Sequence, residues 1–233
     1  MAIAHDATTA FERDGSDPTP SFNHTVGAGA DRILLVAVAT GGGTAGQRAV
    51  TGVTYGGVAL TRVFAKDDAN FLNVETWYLI APTAGTAGVI ADLGGNPGLC
   101  AVGASSYTGV DQTTPLRTPA TASGSSATAS VAVGSASGDV VFGAIASDSE
   151  AGITETGTLR WEFENQGSDC SWGAQQYAGA ASVTVQWSQS ATGWTVGGVS
   201  MIPVGGAAAA ATPPPPAFRR VRGRKAQKRR EPK

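Results

Sequence analysis

Apolar and polar residues alternate with a period of two along most of the chain, and helical periodicity is nearly absent. In SVTVQWS, Val183, Val185 and Trp187 share one face while Ser182, Thr184 and Gln186 share the other. TLRWEFE repeats the pattern, which predicts Leu159, Trp161 and Phe163 facing a core and Arg160, Glu162 and Glu164 facing water. Strands with one dry and one wet face belong to antiparallel sheets. RILLVAVAT and DVVFGAIAS are apolar on both faces and read as central strands. Between Val53 and Leu60, two glycines separate β-forming residues. That spacing predicts a tight hairpin, because a primed two-residue turn needs positive φ, which glycine adopts without steric cost.

Further strands are predicted near residues 3–9, 20–26, 70–80, 86–92, 99–108, 127–133, 170–178 and 193–204. About a dozen short strands divided by Gly, Ser, Thr and Pro point to an all-β fold. The expected form is an antiparallel two-sheet sandwich, jelly-roll-like, with an extended C-terminal arm. The aromatics Trp77, Tyr78, Trp161, Trp172, Trp187 and Trp194 fall in strands and are expected between sheets. TPATASGSSATAS (118–130) reads as a loop entering a strand. In GVDQTTPL, Asp111 is placed to accept hydrogen bonds from amides two residues on, and Pro115 ends the strand. The sandwich is expected over 1–204, a Gly/Ala/Pro linker over 205–217 and a basic arm over 218–233. The linker begins flexibly and then stiffens into polyproline of about 3.1 Å per residue.

Charge sharpens that division. The chain holds 16 Lys+Arg and 18 Asp+Glu, a net of −2. Nine of those basic residues and one acid lie from Phe218 onward. Residues 1–217 therefore keep seven basic and 17 acidic residues, about −10, and the arm carries about +8. Such asymmetry marks an interaction arm. Its candidate contacts are Phe218, Arg219, Arg220, Arg222, Arg224, Lys225, Lys228, Arg229 and Arg230. Arginine predominates, which suits bidentate pairing with carboxylates. Sixteen extended residues reach up to about 55 Å.

Length allows one substantial domain or two small ones. Cys100 and Cys170, both in apolar surroundings, are expected as buried thiols; a cross-strand disulfide has no support in their spacing. MAIAHDATTAFERDG lacks a basic n-region and an apolar run, so no secretory signal is expected. The longest apolar run, Ile33 to Ala39, is too short to span a bilayer.

Candidate chemistry is sparse. The two histidines, His5 and His24, read as surface or strand residues. G-x-S-x-G, H-E-x-x-H and the P-loop are missing, and GAGADR lacks the third glycine of a dinucleotide fingerprint. Glu162 and Glu164 stand about 7 Å apart on one strand face. That spacing suits a carboxylate pair, but Arg160 shares the face and a solvated surface is expected. Asp67–Asp68 and Asp148–Glu150 lack the spaced loop of a calcium site. The sequon at Asn23 carries weight only on a secretory route. No catalytic residue, metal or cofactor is expected.

Three stretches carry a resemblance: VTGVTYGGVALTRV (50–63), VETWYLIAPTAGTAGVIADL (74–93) and AVGASSYTGVDQTTPLRT (101–118), with TGWTVGGVSMIPV (192–204) at the close. They resemble the jelly-roll or lectin-like β-sandwich domains of phage virion proteins and bacterial surface proteins, over about residues 25–204. The resemblance implies a fold and no transferable catalytic residues. With the basic arm and no export signal, the expectation is a non-enzymatic virion protein assembled in the host cytoplasm. A capsid decoration or cement protein is expected first, with a fibre, collar or tail component as its nearest variant. Expected partners are the major capsid protein or neighbouring subunits, and further copies of the chain itself. A glycan-binding adhesion module is the alternative, with Tyr107, Trp172 and Trp194 as its contacts. Nucleic-acid binding by the arm is disfavoured, because the body is acidic and Phe218 is the arm's one stacking residue.

Overall fold

The computed structural model describes residues 1–14, 18–166 and 170–206. Among the described residues every strand pairing is antiparallel and the one helix is a single turn, as the period-two pattern predicts. The first half contributes β1 (Ala4–Asp14), β2 (Ser21–Val26), β3 (Ile33–Gly41), α1 (Ala45–Arg48), β4 (Val50–Tyr55), β5 (Val58–Ala59), β6 (Thr61–Asp67), β7 (Leu72–Ile80), β8 (Gly85–Leu93) and β9 (Leu99–Thr108). The second contributes β10 (Ala120–Gly124), β11 (Thr128–Gly134), β12 (Val140–Ser147), β13 (Ile153–Glu155), β14 (Thr158–Gln166), β15 (Cys170–Ala178), β16 (Ser182–Gln189) and β17 (Trp194–Met201).

The antiparallel sandwich is present twice. Each half has a five-stranded inner sheet, in the order β1-β9-β3-β7-β6 or β10-β17-β12-β15-β14. Each also has a narrower outer sheet, β2-β8-β4-β5 or β11-β16-β13. Apart from the β5 hairpin and α1, which belong to the first half alone, the two strand orders are the same. The halves pack inner sheet to inner sheet, giving four layers and three cores. The central core joins Leu35, Ala37, Val74 and Tyr107 to Phe142, Ala144, Trp172 and Met201. The flanking cores fill each sandwich. This layering explains the two apolar runs: β3 is buried over all nine residues because both its faces meet a core, and β12 occupies the same place in the second half.

Register confirms the equivalence residue by residue. Across the first inner sheet Ala10, Gly103, Ala37, Thr76 and Phe64 form one row. Across the second the row is Thr121, Gly197, Ala144, Ala174 and Trp161. A register shift immediately precedes Phe64 in β6 and Trp161 in β14. The glycines then interlock the halves reciprocally. A Cβ on Gly103 would overlap the Trp161 ring, and one on Gly197 would overlap the Phe64 ring. Each glycine lets the other half's aromatic lie against bare backbone.

Local departures from the predicted pattern have local causes. The shift at Arg160 turns Leu159 outward, 40 % exposed, instead of inward. Part of 118–130 is strand: β10 pairs with β17 although its small residues carry little β propensity. The hairpin at Gly56–Gly57 is as predicted, with φ of 55° and 80° joining Tyr55 to Val58. Asp111 Oδ1 accepts the Thr113 and Thr114 amides at 2.9 and 2.8 Å, also as predicted. Cys100 and Cys170 are buried in different cores and are not bridged.

Candidate functional site

The nine arm residues from Phe218 to Arg230 lie outside the described residues, but the arm's root is well defined. Asp111 N–H donates to Ile202 O at 2.8 Å, Ile202 N–H to Pro115 O at 2.8 Å and Val204 N–H to Gly109 O at 2.9 Å. The N-terminal amine of Met1 closes the same end on Val204 O at 3.2 Å. The three aromatics considered for glycan contact are core residues. Tyr107 and Trp172 are fully buried in the shared core. Trp194 is 7 % exposed in the second sandwich, its indole N–H donating to Ser126 Oγ at 3.2 Å. No ring face among the three is open to a sugar, so that platform is set aside.

His24 is a strand residue, on β2, and not a surface one. It is buried, with Nδ1 3.1 Å from Thr9 Oγ1 and Nε2 3.3 Å from Ser106 Oγ. Ser106 in turn donates to Asp6 Oδ2 at 2.7 Å. The residue types are those of a serine hydrolase, but the wiring is not. The serine hydroxyl donates to the carboxylate rather than to the imidazole, and both Ser106 and His24 are sealed from substrate. Burial, set against the Asp6 charge, lowers the His24 pKa and keeps the ring neutral. Although burial opposes it, the Gly27 amide and Ser106 hydroxyl hold the Asp6 carboxyl below its usual range. This network ties β1, β2 and β9 together.

The acidic residues are more informative. On β7, Leu72 and Val74 face the shared core, so Asn73 and Glu75 point to the other side. Glu75 Oε1 accepts Val50 N–H at 2.9 Å and Asn73 Nδ2 at 3.2 Å, and Arg62 reaches Oε2 at 3.4 Å. Beside it Arg48, 1 % exposed, pairs bidentately with Asp67 at 3.0 and 3.1 Å. Its remaining N–H groups donate to Gly42, Gly43 and Asn70 carbonyls. A depression of about 400 Å³ opens over Ala45, Arg62, Asp67, Asn73 and Glu75. Asp68 is committed to its own turn, accepting the amides of Asn70, Phe71 and Leu72.

The equivalent edge of the second half carries three acids, Glu155, Glu162 and Glu164. Counted from the Phe64/Trp161 row, Glu162 stands where the first half has Ala65, Glu164 where it has Asp67, and Gly173 where it has Glu75. Glu155 joins them from β13. The solvated face expected for Glu162 is not what forms. Burial, then the charges of Glu164 and Glu155 and a hydrogen bond with Glu164, push its pKa up to about 7. Glu162 Oε2 is buried without a partner, and so is the indole N–H of Trp187. Trp187 pairs with Glu155 across β13 and β16. Its Nε1 lies 3.6 Å from the Cβ position of Gly173, the residue opposite Glu162. Among the described residues, no three His, Cys, Asp or Glu side chains are grouped to hold a metal, and no helix is long and apolar enough to cross a membrane.

No protein-family model fits the chain, and no curated protein matches it. The functional reading therefore stands on the residues: a β body whose polar clusters are mostly self-satisfied, an acidic edge on β13 and β14, and a basic arm.

Proposed function

We propose that this chain is a non-enzymatic structural protein of a phage virion, a capsid decoration or cement protein that its basic arm ties to neighbouring subunits. The observation that carries the reading is the division of charge, about −10 over residues 1–217 against about +8 in the arm. An acidic body stays soluble and repels its like, while an arginine-rich arm seeks carboxylates. The arm's root supports the same reading. Hydrogen bonds with Gly109, Asp111, Pro115 and Met1 hold residues 202–204 against the body, so tension on the arm is carried into the fold. The jelly-roll-like stretches add the virion context. A fibre, collar or tail position is the nearest variant and uses the arm in the same way.

The test is a particle. Mass spectrometry of purified virions should find the protein at stoichiometric copy number, and a reconstruction should place a four-layer β body on the capsid surface. Particles that lack the protein overturn the reading.

A further inference from the structure

We infer that Glu162 and Trp187 form a proton-operated switch in the second sandwich: the protonated carboxyl is held by Glu164, and on losing its proton to solvent it turns to accept the indole N–H of Trp187. The inference is independent of the proposed function.

The geometry supplies an acceptor and a donor that face each other without being joined. Trp161 and Phe163 enter the shared core, so Glu162 between them points the other way, toward β13 and β16. Its Oε2 is buried without a partner. Opposite it, across β14 and β15, stands Gly173. Trp187 Nε1 lies 3.6 Å from the Cβ position of that glycine, on a fully buried side chain, and it too lacks a partner. Directly opposed residues on one face have Cβ positions about 4.5–5.5 Å apart, and a glutamate chain crosses that gap by changing between staggered rotamers. A side chain at 173 would block the turn; glycine leaves the way open. Trp161 Nε1 also lies over a glycine without a partner, but the residues opposite Gly103 are Ala10 and Ala37, so no carboxyl can turn to it there. A buried N–H without an acceptor is costly, and the second arrangement removes that cost at Trp187.

Charge sets the direction of the turn. Burial, then Glu164 on the same strand and Glu155 on β13, hold the Glu162 pKa up at about 7. The β12–β13 connection adds Asp148 and Glu150, acidic as well, while β15 and β16 carry no charged residue. On β15, Cys170 belongs to the shared core and Tyr177 is engaged with Thr156 and Gln186. Arg160 of β14 acts on His5 and Tyr107. Glu12 of β1, in register with Ala101, belongs to the shared-core side. Below neutral pH the Glu162 carboxyl donates to Glu164. Above it, like charges drive the ionised carboxylate from Glu164 and Glu155, and the indole N–H gives it a charge-assisted hydrogen bond. The inner and outer sheets of the second sandwich thereby gain a side-chain link as pH rises.

Heteronuclear NMR of the full chain tests this between about pH 5 and about pH 9. The Trp187 indole resonance, assigned with Trp187→Phe, should titrate with a midpoint at about 7. A nuclear Overhauser contact from its N–H to the Glu162 Hγ protons should appear above the midpoint. Glu162→Gln should abolish the titration, and Glu164→Gln should move the midpoint down toward the ordinary carboxylate range. The second variant keeps the test decisive where the first does not fold. A Trp187 resonance that does not titrate overturns the inference, as does a titration that survives in folded Glu162→Gln or a midpoint unmoved by Glu164→Gln. So does a shift without the Overhauser contact, since the charge then acts on the indole across space and the carboxylate has not turned.

Discussion

Gly103 and Gly197 are the residues on which the two halves meet most closely, each lying under an aromatic ring of the other half. Substituting either by alanine forces a ring away from its seat, and such overpacking should cost about 2 kcal/mol in urea denaturation. Gly52→Ala is the control, because a Cβ there meets open space; its cost should stay within about 0.5 kcal/mol. Equal costs at all three positions would mean the rings do not depend on bare backbone. Glu162 carries the pH dependence. Its folded pKa of about 7 lies above the ordinary 4.5, so the folded chain holds a proton that the unfolded chain releases. Stability therefore declines as pH rises through that window and stays reduced above it. Glu162→Gln should raise stability by about 1 kcal/mol at about pH 8, after discounting for its partial exposure, and by almost nothing at about pH 4. A thermal-melt gain that is the same at both pH values would contradict this. Neither site was legible from sequence. A glycine in a strand does not announce the ring above it, and alternation alone assigned Glu162 to water because β13, with Glu155, comes from outside its strand.

At the scale of elements, period-two alternation and turn glycines located most strands, since both are local properties of the chain. What escaped depends on partners. β10 is strand because β17 lies beside it, and α1 is a single turn that delivers Arg48 to Asp67. Arg48→Met should cost about 3 kcal/mol, because Asp67 and three carbonyls lose a buried guanidinium. Arg62→Met should cost under about 1 kcal/mol, the Arg62 side chain being 50 % exposed over Glu75. Chemical denaturation separates the two. Comparable losses would remove the distinction between a built-in guanidinium and a surface pair.

For the molecule as a whole, the repeat is a repeat of shape. Identity survives at Gly103 and Gly197 and at Ala37 and Ala144, while other equivalent core positions differ in residue: Phe64 and Trp161, Leu35 and Phe142, Tyr107 and Met201. With the β5 hairpin and α1 confined to one half, little identity is left to align, and two packed sheets were all the pattern predicted. Because the halves share one core, residues 1–206 should unfold in a single cooperative transition. Two calorimetric transitions would mean that the sandwiches are only tethered. The charge division, by contrast, was fully legible, being a count along the chain. It also carries the functional account: a stable acidic body with its working part in the basic arm. The most direct test is co-sedimentation of purified virion particles with the full chain and with the chain truncated at Thr212. The full chain should bind at about 50 mM salt and be released by about 500 mM, while the folded truncated protein should stay in the supernatant. Equal binding by the truncated chain would contradict the account.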